Sequence, residues 1–392
     1  MNDPIVICGY ARTPMGGMMG VLADVPSPQL GATAIAAAME RAGVDNNDVD
    51  EALIGCVLPA GVGQSPARQA ALGAGLPVST STTTVNKMCG SGMKTVMMAC
   101  DTLLAGQADV VVAGGMENMS SAPYVLKKAR GGYRLGNGEL LDHMYVDGLQ
   151  DAYTGGLMGV FAESCAGKYT FTREDQDAYA IESLRRANAA IDENKFSREI
   201  APVTIKTRKG ETVVDTDEQP GNARPDKIPN LKPAFKKDGS VTAANASSIS
   251  DGAAALVLMR QSEAEKRGLK PVAAIRGYTQ FAQEPEWFTT APVGAMKTLF
   301  ERTGWSAADV DLFEVNEAFA VVAMAAMKEL DIPHDKVNVH GGACALGHPL
   351  GASGARIIVT LLSALETYGK TKGVASLCIG GGEATAVAVE LL

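Results

Sequence analysis

The chain has 392 residues, of which 46% are hydrophobic, and a formal net charge of -9. This length exceeds what one ordinary hydrophobic core serves, so two or more domains are expected. The acidic balance, without a concentrated Lys/Arg face, argues against a nucleic-acid partner. No apolar run in the sequence approaches the roughly 18 residues of a membrane span, so no membrane partner is expected.

The cysteine pattern indicates free thiols. The sequence has seven cysteines and four histidines, without a Cys-x-x-Cys spacing, which predicts neither a disulfide framework nor a metal site. The N-terminal stretch lacks the basic and apolar regions of a signal peptide, and its apolar run reads as a first strand. We therefore expect a soluble, cytoplasmic protein.

An internal repeat divides most of the chain into two similar halves. Three segments recur in the same order: 40–50 as 301–311, 91–94 as 353–356, and 110–115 as 374–381. Each half alternates short apolar runs with Ala-rich stretches, a pattern typical of buried strands flanked by helices. The simplest interpretation is a duplicated half built of strands and helices.

Cys89 lies in a Gly-rich turn before a helix predicted over 93–104. A thiol at a helix N-terminus faces unpaired backbone N–H groups and the positive end of the helix dipole. Both favour the thiolate, so the position predicts a lowered pKa and a reactive nucleophile. The alternative is a buried, inert cysteine.

The middle of the chain, 120–248, has no counterpart in the repeat and is interpreted as an insertion that carries binding loops. A helix is predicted after the capping residue Thr172. Its apolar positions fall on one predicted buried face, and they are Ala178, Ile181, Leu184, Ala187 and Ile191.

Three polar or nucleophilic residues follow in the second half. Asn316 comes after a strand-like run and is placed to hold a water or stabilise an oxyanion, or else to cap a helix from Glu317. His348 stands in a turn that Pro349 restrains, so its imidazole is expected to be fixed. Cys378 ends a strand-like run before three glycines, whose N–H groups suit an oxyanion; the alternative is a core cysteine.

A thiolate, an imidazole and a second thiol are the groups that acyl transfer through a thioester needs. A hydrolase that uses Cys89, His348 and Asn316 is an alternative. That alternative gives Cys378 and the duplication no role.

Four motifs carry a resemblance to a known family: Asn-Lys-Met-Cys-Gly-Ser-Gly at 86–92, Asn-Glu-Ala-Phe-Ala at 316–320, Gly-His-Pro at 347–349 and Cys-Ile-Gly-Gly-Gly at 378–382. In this order, and over essentially the full length, the chain resembles the thiolase family. The resemblance implies an α/β fold with duplicated βα halves in a layered αβαβα arrangement and an inserted loop domain.

The implied division has three parts. The N-terminal half takes residues 1–119 plus 249–271, and the C-terminal half takes 272–392. The inserted loop domain takes 120–248 and is expected to bind coenzyme A and make oligomer contacts.

The resemblance also implies catalytic roles. Cys89 would attack a thioester and carry the acetyl group, and His348 would take its proton. With a water held by Asn316, His348 would stabilise the enolate of the second substrate, whose α-proton Cys378 would remove or return. The backbone N–H groups of Cys89 and Gly380 would bind the oxyanion.

A further set of residues matches the family's contacts with coenzyme A and the acyl group. These are Ser247, Leu149, Met158, Phe235, Ala243, Ala318 and Phe319.

The implied reaction is the reversible condensation of two acetyl-CoA to acetoacetyl-CoA and CoA, with coenzyme A as substrate and product and no metal or other cofactor. A homotetramer acting in lipid metabolism on small acyl-CoA molecules is implied as well. Leu157 and Phe288 depart from the pattern usual in short-chain members and motivate a broader 3-ketoacyl-CoA thiolase of fatty-acid degradation as the alternative. A non-catalytic CoA-binding protein is a third possibility.

Overall fold

The computed structural model describes residues 3–208 and 210–392. Met1 and Asn2, in the predicted N-terminal half, and Lys209, in the predicted insertion, lie outside the described residues.

The strands, in chain order, are β1 (Ile5–Arg12), β2 (Gly16–Gly17), β3 (Glu51–Gly55), β4 (Ser81–Val85), β5 (Val110–Asn118), β6 (Tyr124–Val125), β7 (Leu141–Asp142), β8 (Val203–Thr207), β9 (Gly210–Val214), β10 (Ser250–Arg260), β11 (Ala273–Ala282), β12 (Leu312–Val315), β13 (Lys372–Ile379) and β14 (Glu383–Leu391). The α-helices are α1 (Ser27–Ala42), α2 (Pro66–Gly73), α3 (Ser91–Leu104), α4 (Met158–Tyr169), α5 (Arg173–Asp192), α6 (Glu218–Asn222), α7 (Gln261–Lys266), α8 (Ala291–Thr303), α9 (Ala320–Leu330), α10 (Ala343–Leu346) and α11 (Leu350–Tyr368).

The central sheet has the strand order β12-β13-β14-β11-β1-β10-β5-β3-β4, and β2 pairs with β10. Its two halves meet where β1 pairs with β11 through only two residue pairs, Val6 with Ala274 and Ile7 with Ala273. The pairs β6–β7 and β8–β9 form two small separate sheets.

The pairing directions confirm the duplication. In the first half β3 is parallel to β5, which is antiparallel to β10, and β10 is antiparallel to β1. In the second half β12, β13, β14 and β11 repeat these directions in the same order. The repeated aspartate has one structural role in both halves: Asp50 Oδ2 accepts from the N–H of Val110 at 3.0 Å, and Asp311 Oδ2 from that of Lys372 at 2.9 Å.

Helices and sheet halves alternate in five layers, which confirms the predicted fold class. Helices α3 and α11 contact each other and strands of both halves, so they form the middle layer. Helix α1 packs on the outer face of the first half beside α2, and α8 packs on the outer face of the second half beside α9. The alternation of β1 matches this arrangement: Ile5 and Ile7 join the central core, while Val6 and Cys8 join the outer one.

Helix α11 corrects one statement made from the sequence. It is 19 residues long and, by length and composition alone, apolar enough to cross a membrane. However, 89% of its apolar window is buried inside the protein, because the helix lies between the two sheet halves.

Helix α5 begins as predicted but buries a partly different face. Thr172 Oγ1 accepts from the N–H of Asp175 at 3.1 Å, and Asp175 Oδ2 accepts from that of Thr172 at 2.9 Å, which is a complete capping box. The predicted face is only partly right: Leu184 and Ala187 are buried, but Ala178 is exposed, and the polar Asp177 and Ser183 are buried as well. The three proposed domain boundaries stay predictions.

Candidate active site

The Cys89 loop joins β4 to α3 by a tight turn. Met88 is in the left-handed region, with φ 49°. Ser91 Oγ accepts from the N–H of Lys87 at 2.8 Å and donates to the carbonyl of Met88 at 2.6 Å. Cys89 is therefore held immediately before the first turn of α3, where the sequence predicted a helix start.

The Cys378 loop packs directly on the Cys89 loop. Cys378 is fully buried near the end of β13, and Gly381 and Gly382 beyond it take φ values of 94° and 92°. A Cβ on Gly90 would lie 2.3 Å from Cδ1 of Ile379, so a side chain at position 90 would force Ile379 to move. The two loops are also joined by an ion pair between Lys87 and Glu383.

Both thiols are shifted toward the protonated form. Burial raises the pKa of Cys89 to about 11, although the N–H groups of Gly380 and of Cys89 itself act to lower it. Burial, and then the charge of Cys89, raise the pKa of Cys378 well above its usual value. The sequence prediction of a lowered pKa for Cys89 is wrong, because desolvation outweighs the helix N-terminus.

His348 lies between α10 and α11 with its ring fixed by a short relay. Its Nδ1 is 2.6 Å from Ser353 Oγ, which donates to the carbonyl of Pro349 at 2.8 Å. Since the single hydroxyl proton is used on Pro349, Ser353 accepts from Nδ1–H, and this assigns the lone pair to Nε2.

The His348 ring is neutral, and its Nε2 is free to act as an acceptor. Nε2 is buried and has no hydrogen-bond partner within the described residues. Burial, and then the positive charge of Arg356, lower the pKa of His348 to about 3. A neutral imidazole with a free Nε2 can serve as a general base for a protonated thiol.

A crossing of α3 and α11 brings the Cys89 and His348 turns to the same region. A Cβ on Gly92 would lie 2.8 Å from the backbone nitrogen of Ala355, and one on Gly354 would lie 2.4 Å from that of Met93. The paired small residues of the repeat are therefore the contact point of the two middle helices.

Asn316 faces the histidine instead of capping a helix. Its Nδ2 is 3.5 Å from Nδ1 of His348, and its Oδ1 accepts from Nη2 of Arg356 at 3.3 Å. The alternative of a helix cap is wrong, because α9 begins at Ala320 and Phe319 occupies its N-cap position.

Five of the residues predicted to contact coenzyme A lie close to one another. Ser247 N–H and Oγ both donate to the carbonyl of Ala318 at 3.0 Å. The ring of Phe235 packs edge to face on that of Phe319, with centroids 6.0 Å apart. Met158 Sδ lies 3.5 Å from the position that a Cβ on Gly380 would take.

Leu149 and Ala243 are the remaining two predicted contacts with coenzyme A. Leu149 packs on the apolar cluster that also contacts Cys89. Ala243 lines a cleft with a cavity volume of about 280 Å³, and Arg224 and Lys227 line the same cleft. These two cations were not assigned from the sequence.

Two family models match the chain over nearly its whole length. The thiolase N-terminal domain matches residues 5–262, and the thiolase C-terminal domain matches residues 269–391. The chain belongs to the thiolase family.

Two named relatives agree with this family assignment. The chain is 50% identical to an acetyl-CoA acetyltransferase of Chromobacterium violaceum, over 98% of this chain and 99% of the relative. It is 52% identical to acetyl-CoA acetyltransferase 2 of Arabidopsis thaliana, over 99% and 97%.

Two crystal structures have the same fold. The Bacillus anthracis acetyl-CoA acetyltransferase is 42% identical, with a TM-score of 0.97 over 100% of this chain and 99% of the other. The Acat5 thiolase from Ascaris suum in complex with coenzyme A is 41% identical, with a TM-score of 0.94 over 99% and 100%.

Sequence reasoning missed three polar side chains of this thiolase site: Ser353, Arg356 and Glu117. Glu117 is fully buried and accepts from the N–H groups of Val57 at 2.9 Å and Gly351 at 2.8 Å. It thereby ties the loop after β3 to the start of α11. Burial raises the pKa of Glu117 to about 7, and these N–H groups act to lower it.

A metal site was not expected, and that expectation stays a prediction. Within residues 3–208 and 210–392, no group of three or more His, Cys, Asp or Glu is arranged to hold a metal ion.

Proposed function

We propose that this thiolase is an acetyl-CoA C-acetyltransferase, which condenses two acetyl-CoA to acetoacetyl-CoA and CoA through an acetyl-cysteine. The observation that carries the proposal is the packing of two cysteine loops against each other, with the N–H of Gly380 directed at the Cys89 sulfur. The names of the relatives at about half identity support this reaction.

The first half-reaction acetylates Cys89. The neutral Nε2 of His348 accepts the proton of the Cys89 thiol, and the sulfur attacks the thioester carbonyl of acetyl-CoA. The N–H groups of Cys89 and Gly380 donate to the oxyanion. These fixed dipoles stabilise the negative charge on the oxygen, so the carbonyl need not be protonated before the sulfur attacks. The C–S bond to coenzyme A breaks, and its thiolate takes the proton from His348.

The second half-reaction forms the carbon–carbon bond. The neutral Nε2 of His348 takes the proton of the Cys378 thiol, and the resulting thiolate removes an α-proton from the second acetyl-CoA; the raised pKa of Cys378 makes that thiolate a stronger base. His348 and a water on the Asn316 amide stabilise the enolate oxygen. The enolate carbon attacks the acetyl group, the bond to the Cys89 sulfur breaks, and that sulfur takes the proton from His348, which restores both thiols and the neutral imidazole.

We expect the acyl-chain length that the site accepts to depend on the bulk of Phe288. Phe288, one of the two residues that motivated the longer-chain alternative, is 3% exposed and packs edge to face on Phe161 with centroids 6.3 Å apart. It belongs to the same large core cluster as Cys378. We expect a buried aromatic ring there to oppose a long acyl chain that extends into this cluster.

The experiment is CoA-dependent thiolysis of acetoacetyl-CoA, 3-ketohexanoyl-CoA and a long-chain 3-ketoacyl-CoA by the same preparation. The proposal predicts a strong preference in kcat/KM for acetoacetyl-CoA. Comparable values for the longer substrates would support the 3-ketoacyl-CoA thiolase. Cleavage without CoA would support the hydrolase, and binding without turnover the non-catalytic protein.

The proposal includes a homotetramer. The segment 120–145 exposes large apolar side chains, among them Leu135 at 98% and Leu140 at 62%. Strand β4, next to the Cys89 loop, is at an edge of the central sheet, and an open edge can pair with another chain. The molar mass from light scattering tests this, and a monomer at assay concentration would contradict it.

A cytoplasmic location and a role in lipid metabolism complete the proposal. The seven cysteines are free thiols, which fits a reducing compartment. Microscopy of a tagged chain and acyl-CoA profiling of a deletion strain test these two statements.

A further inference from the structure

Arg356 is a fully buried arginine on α11, and it contacts the catalytic amide. Its Nη2 donates to Oδ1 of Asn316 at 3.3 Å. Its Nη1 is 3.5 Å from Oε2 of Glu314, which is beyond a good hydrogen bond for an ion pair. Nε and Nη1 have no hydrogen-bond partner within the described residues.

Few ion pairs or hydrogen bonds offset the cost of burying the Arg356 guanidinium. Taking a guanidinium out of water is costly unless excellent ion pairs and hydrogen bonds offset it. Arg12, a second buried arginine, meets that condition through Asp217 at 2.7 and 2.9 Å and Glu199 at 2.5 Å. Arg356 directs its one hydrogen bond at Asn316, so its retention points to a role at the active site.

The contact decides which way the Asn316 amide faces. An asparagine side chain has an acceptor oxygen and a donor nitrogen of nearly equal size, and a flip exchanges them. A guanidinium can only donate, so it holds Oδ1 on its own side. The NH₂ group is then the part that faces His348, at 3.5 Å from Nδ1.

Resting on the proposed function, we propose that Arg356 is a positioning residue that holds the Asn316 amide with its NH₂ group toward the reacting enolate or its water. The donor then points where negative charge develops in the second half-reaction. In the first half-reaction the oxyanion is bound by backbone N–H groups, so Arg356 has little influence there.

The charge of Arg356 supports the same arrangement. It lies close enough to His348 to contribute to the lowered pKa of that ring, which keeps the imidazole neutral beside the amide. Glu314 lies on the other side of the guanidinium, where burial raises the pKa of Glu314 to about 8 although the charge of Arg356 acts to lower it, so Glu314 offsets that charge only weakly.

The test separates positioning from simple ion-pair stability. Arg356→Met removes the donor but leaves Glu314 buried without its partner. Arg356→Met combined with Glu314→Gln removes both the guanidinium and the buried carboxyl group and is expected to restore the thermal midpoint. Thr360→Val is the matched control, because Thr360 lies one turn further along α11 and bonds Glu199 at 3.1 Å without contacting Asn316.

Two readouts are measured on each variant: the amount of acetyl-enzyme formed from acetyl-CoA, and the rate of condensation. For the double variant we expect wild-type acetylation and a condensation rate about 10- to 100-fold lower. Losing one oxyanion donor outright costs about 10²–10³-fold, and a donor that is only misplaced should cost less. Arg356→Lys, which keeps a charged donor, is expected to recover part of the rate. Thr360→Val is expected to keep both readouts.

A second comparison identifies the group through which Arg356 acts. In an Asn316→Ala background, adding Arg356→Met and Glu314→Gln is expected to lower condensation by less than twofold. A stable double variant with wild-type condensation would overturn the inference. So would an undiminished loss in the Asn316→Ala background. Failure of the wild-type chain to form acetyl-enzyme would instead overturn the proposed function.

Discussion

At the scale of single residues, burial determines the protonation states of the groups in the site. Desolvation keeps both thiols protonated and His348 neutral, so none of these three groups is charged before substrate arrives. Each nucleophile must then be generated by transfer to a neighbouring base. The sequence located Cys89, His348 and Cys378 through their Gly-rich turns. It misjudged the pKa of Cys89 because the packing of a loop nearly 300 residues away determines its burial.

Cys378→Ser is expected to separate the two half-reactions. A hydroxyl is a far weaker acid and base than a thiol near neutral pH, so α-proton transfer fails while Cys89 still accepts acetyl. Mass spectrometry of the protein and the condensation rate measure the two steps. Cys100→Ser, which changes a buried thiol of α3, is the control. Equal loss of both steps in Cys378→Ser would show a structural role only.

Ser353→Ala tests the relay behind His348. Without the hydroxyl, Nδ1–H loses its acceptor and the proton can occupy Nε2, the nitrogen that must accept from Cys89. We expect kcat for thiolysis to fall about 10- to 100-fold, a part of the about 10²–10⁴-fold that general acid–base catalysis contributes. Ser363→Ala, further along α11, should leave kcat unchanged. An unchanged kcat in Ser353→Ala would refute the assigned tautomer.

At the scale of elements, the crossing of α3 and α11 positions the chemistry. The glycines at the crossing let two helices approach to backbone contact, and each helix begins directly after the turn that carries Cys89 or His348. The repeated Ser-Gly pair made the correspondence of the two helices visible in the sequence. Ser353 and Arg356 were missed because, in a sequence, they look like any polar positions of an apolar helix.

Gly354→Ala is expected to separate the middle helices. Its Cβ would meet the backbone nitrogen of Met93 at 2.4 Å, and overpacking of this kind costs about 1–3 kcal/mol. Differential scanning calorimetry at fixed protein concentration should show a lower Tm, with reduced acetylation of Cys89. Gly167→Ala in α4, where a Cβ meets nothing within 4 Å, should keep or raise Tm. The reverse order of the two midpoints would contradict the crossing.

At the scale of the whole molecule, polar groups join the predicted insertion to the second half. Tyr179 and Ser183 of α5 bond the buried Glu317 at 2.9 and 2.8 Å. This explains why the buried face of α5 could not be predicted from apolar spacing. Long-range polar contacts of this kind leave no periodic signal in a sequence. The duplicated halves and the layers were predictable because the repeat and the family motifs indicated them together, whereas the strand order was not predicted.

His340 predicts how stability changes with pH. Burial, and then the charges of Lys195 and Arg12, lower the pKa of His340 to about 4. The unfolded chain therefore binds more protons than the folded one between about pH 6.5 and 4, and the stabilisation is lost as pH falls through this range. The contribution is at most about 3 kcal/mol.

His340→Phe isolates this contribution. The ring is kept between Phe196 and Tyr368, but it cannot take a proton. Relative to the wild-type chain, the variant is expected to lose less Tm between pH 7.5 and 5. The raised pKa values of Glu117 and Glu314 act in both proteins and cancel in the difference. A parallel fall of both Tm values would contradict the pKa of His340.

The most direct test of the central claim is to locate the acetyl group. The wild-type chain and Cys89→Ala are mixed with labelled acetyl-CoA, quenched in acid, digested and analysed by mass spectrometry. The account predicts label in the wild-type chain on the peptide that contains Cys89, and none in the variant. Label on the peptide of Cys378, or persistence of label in Cys89→Ala, would contradict it.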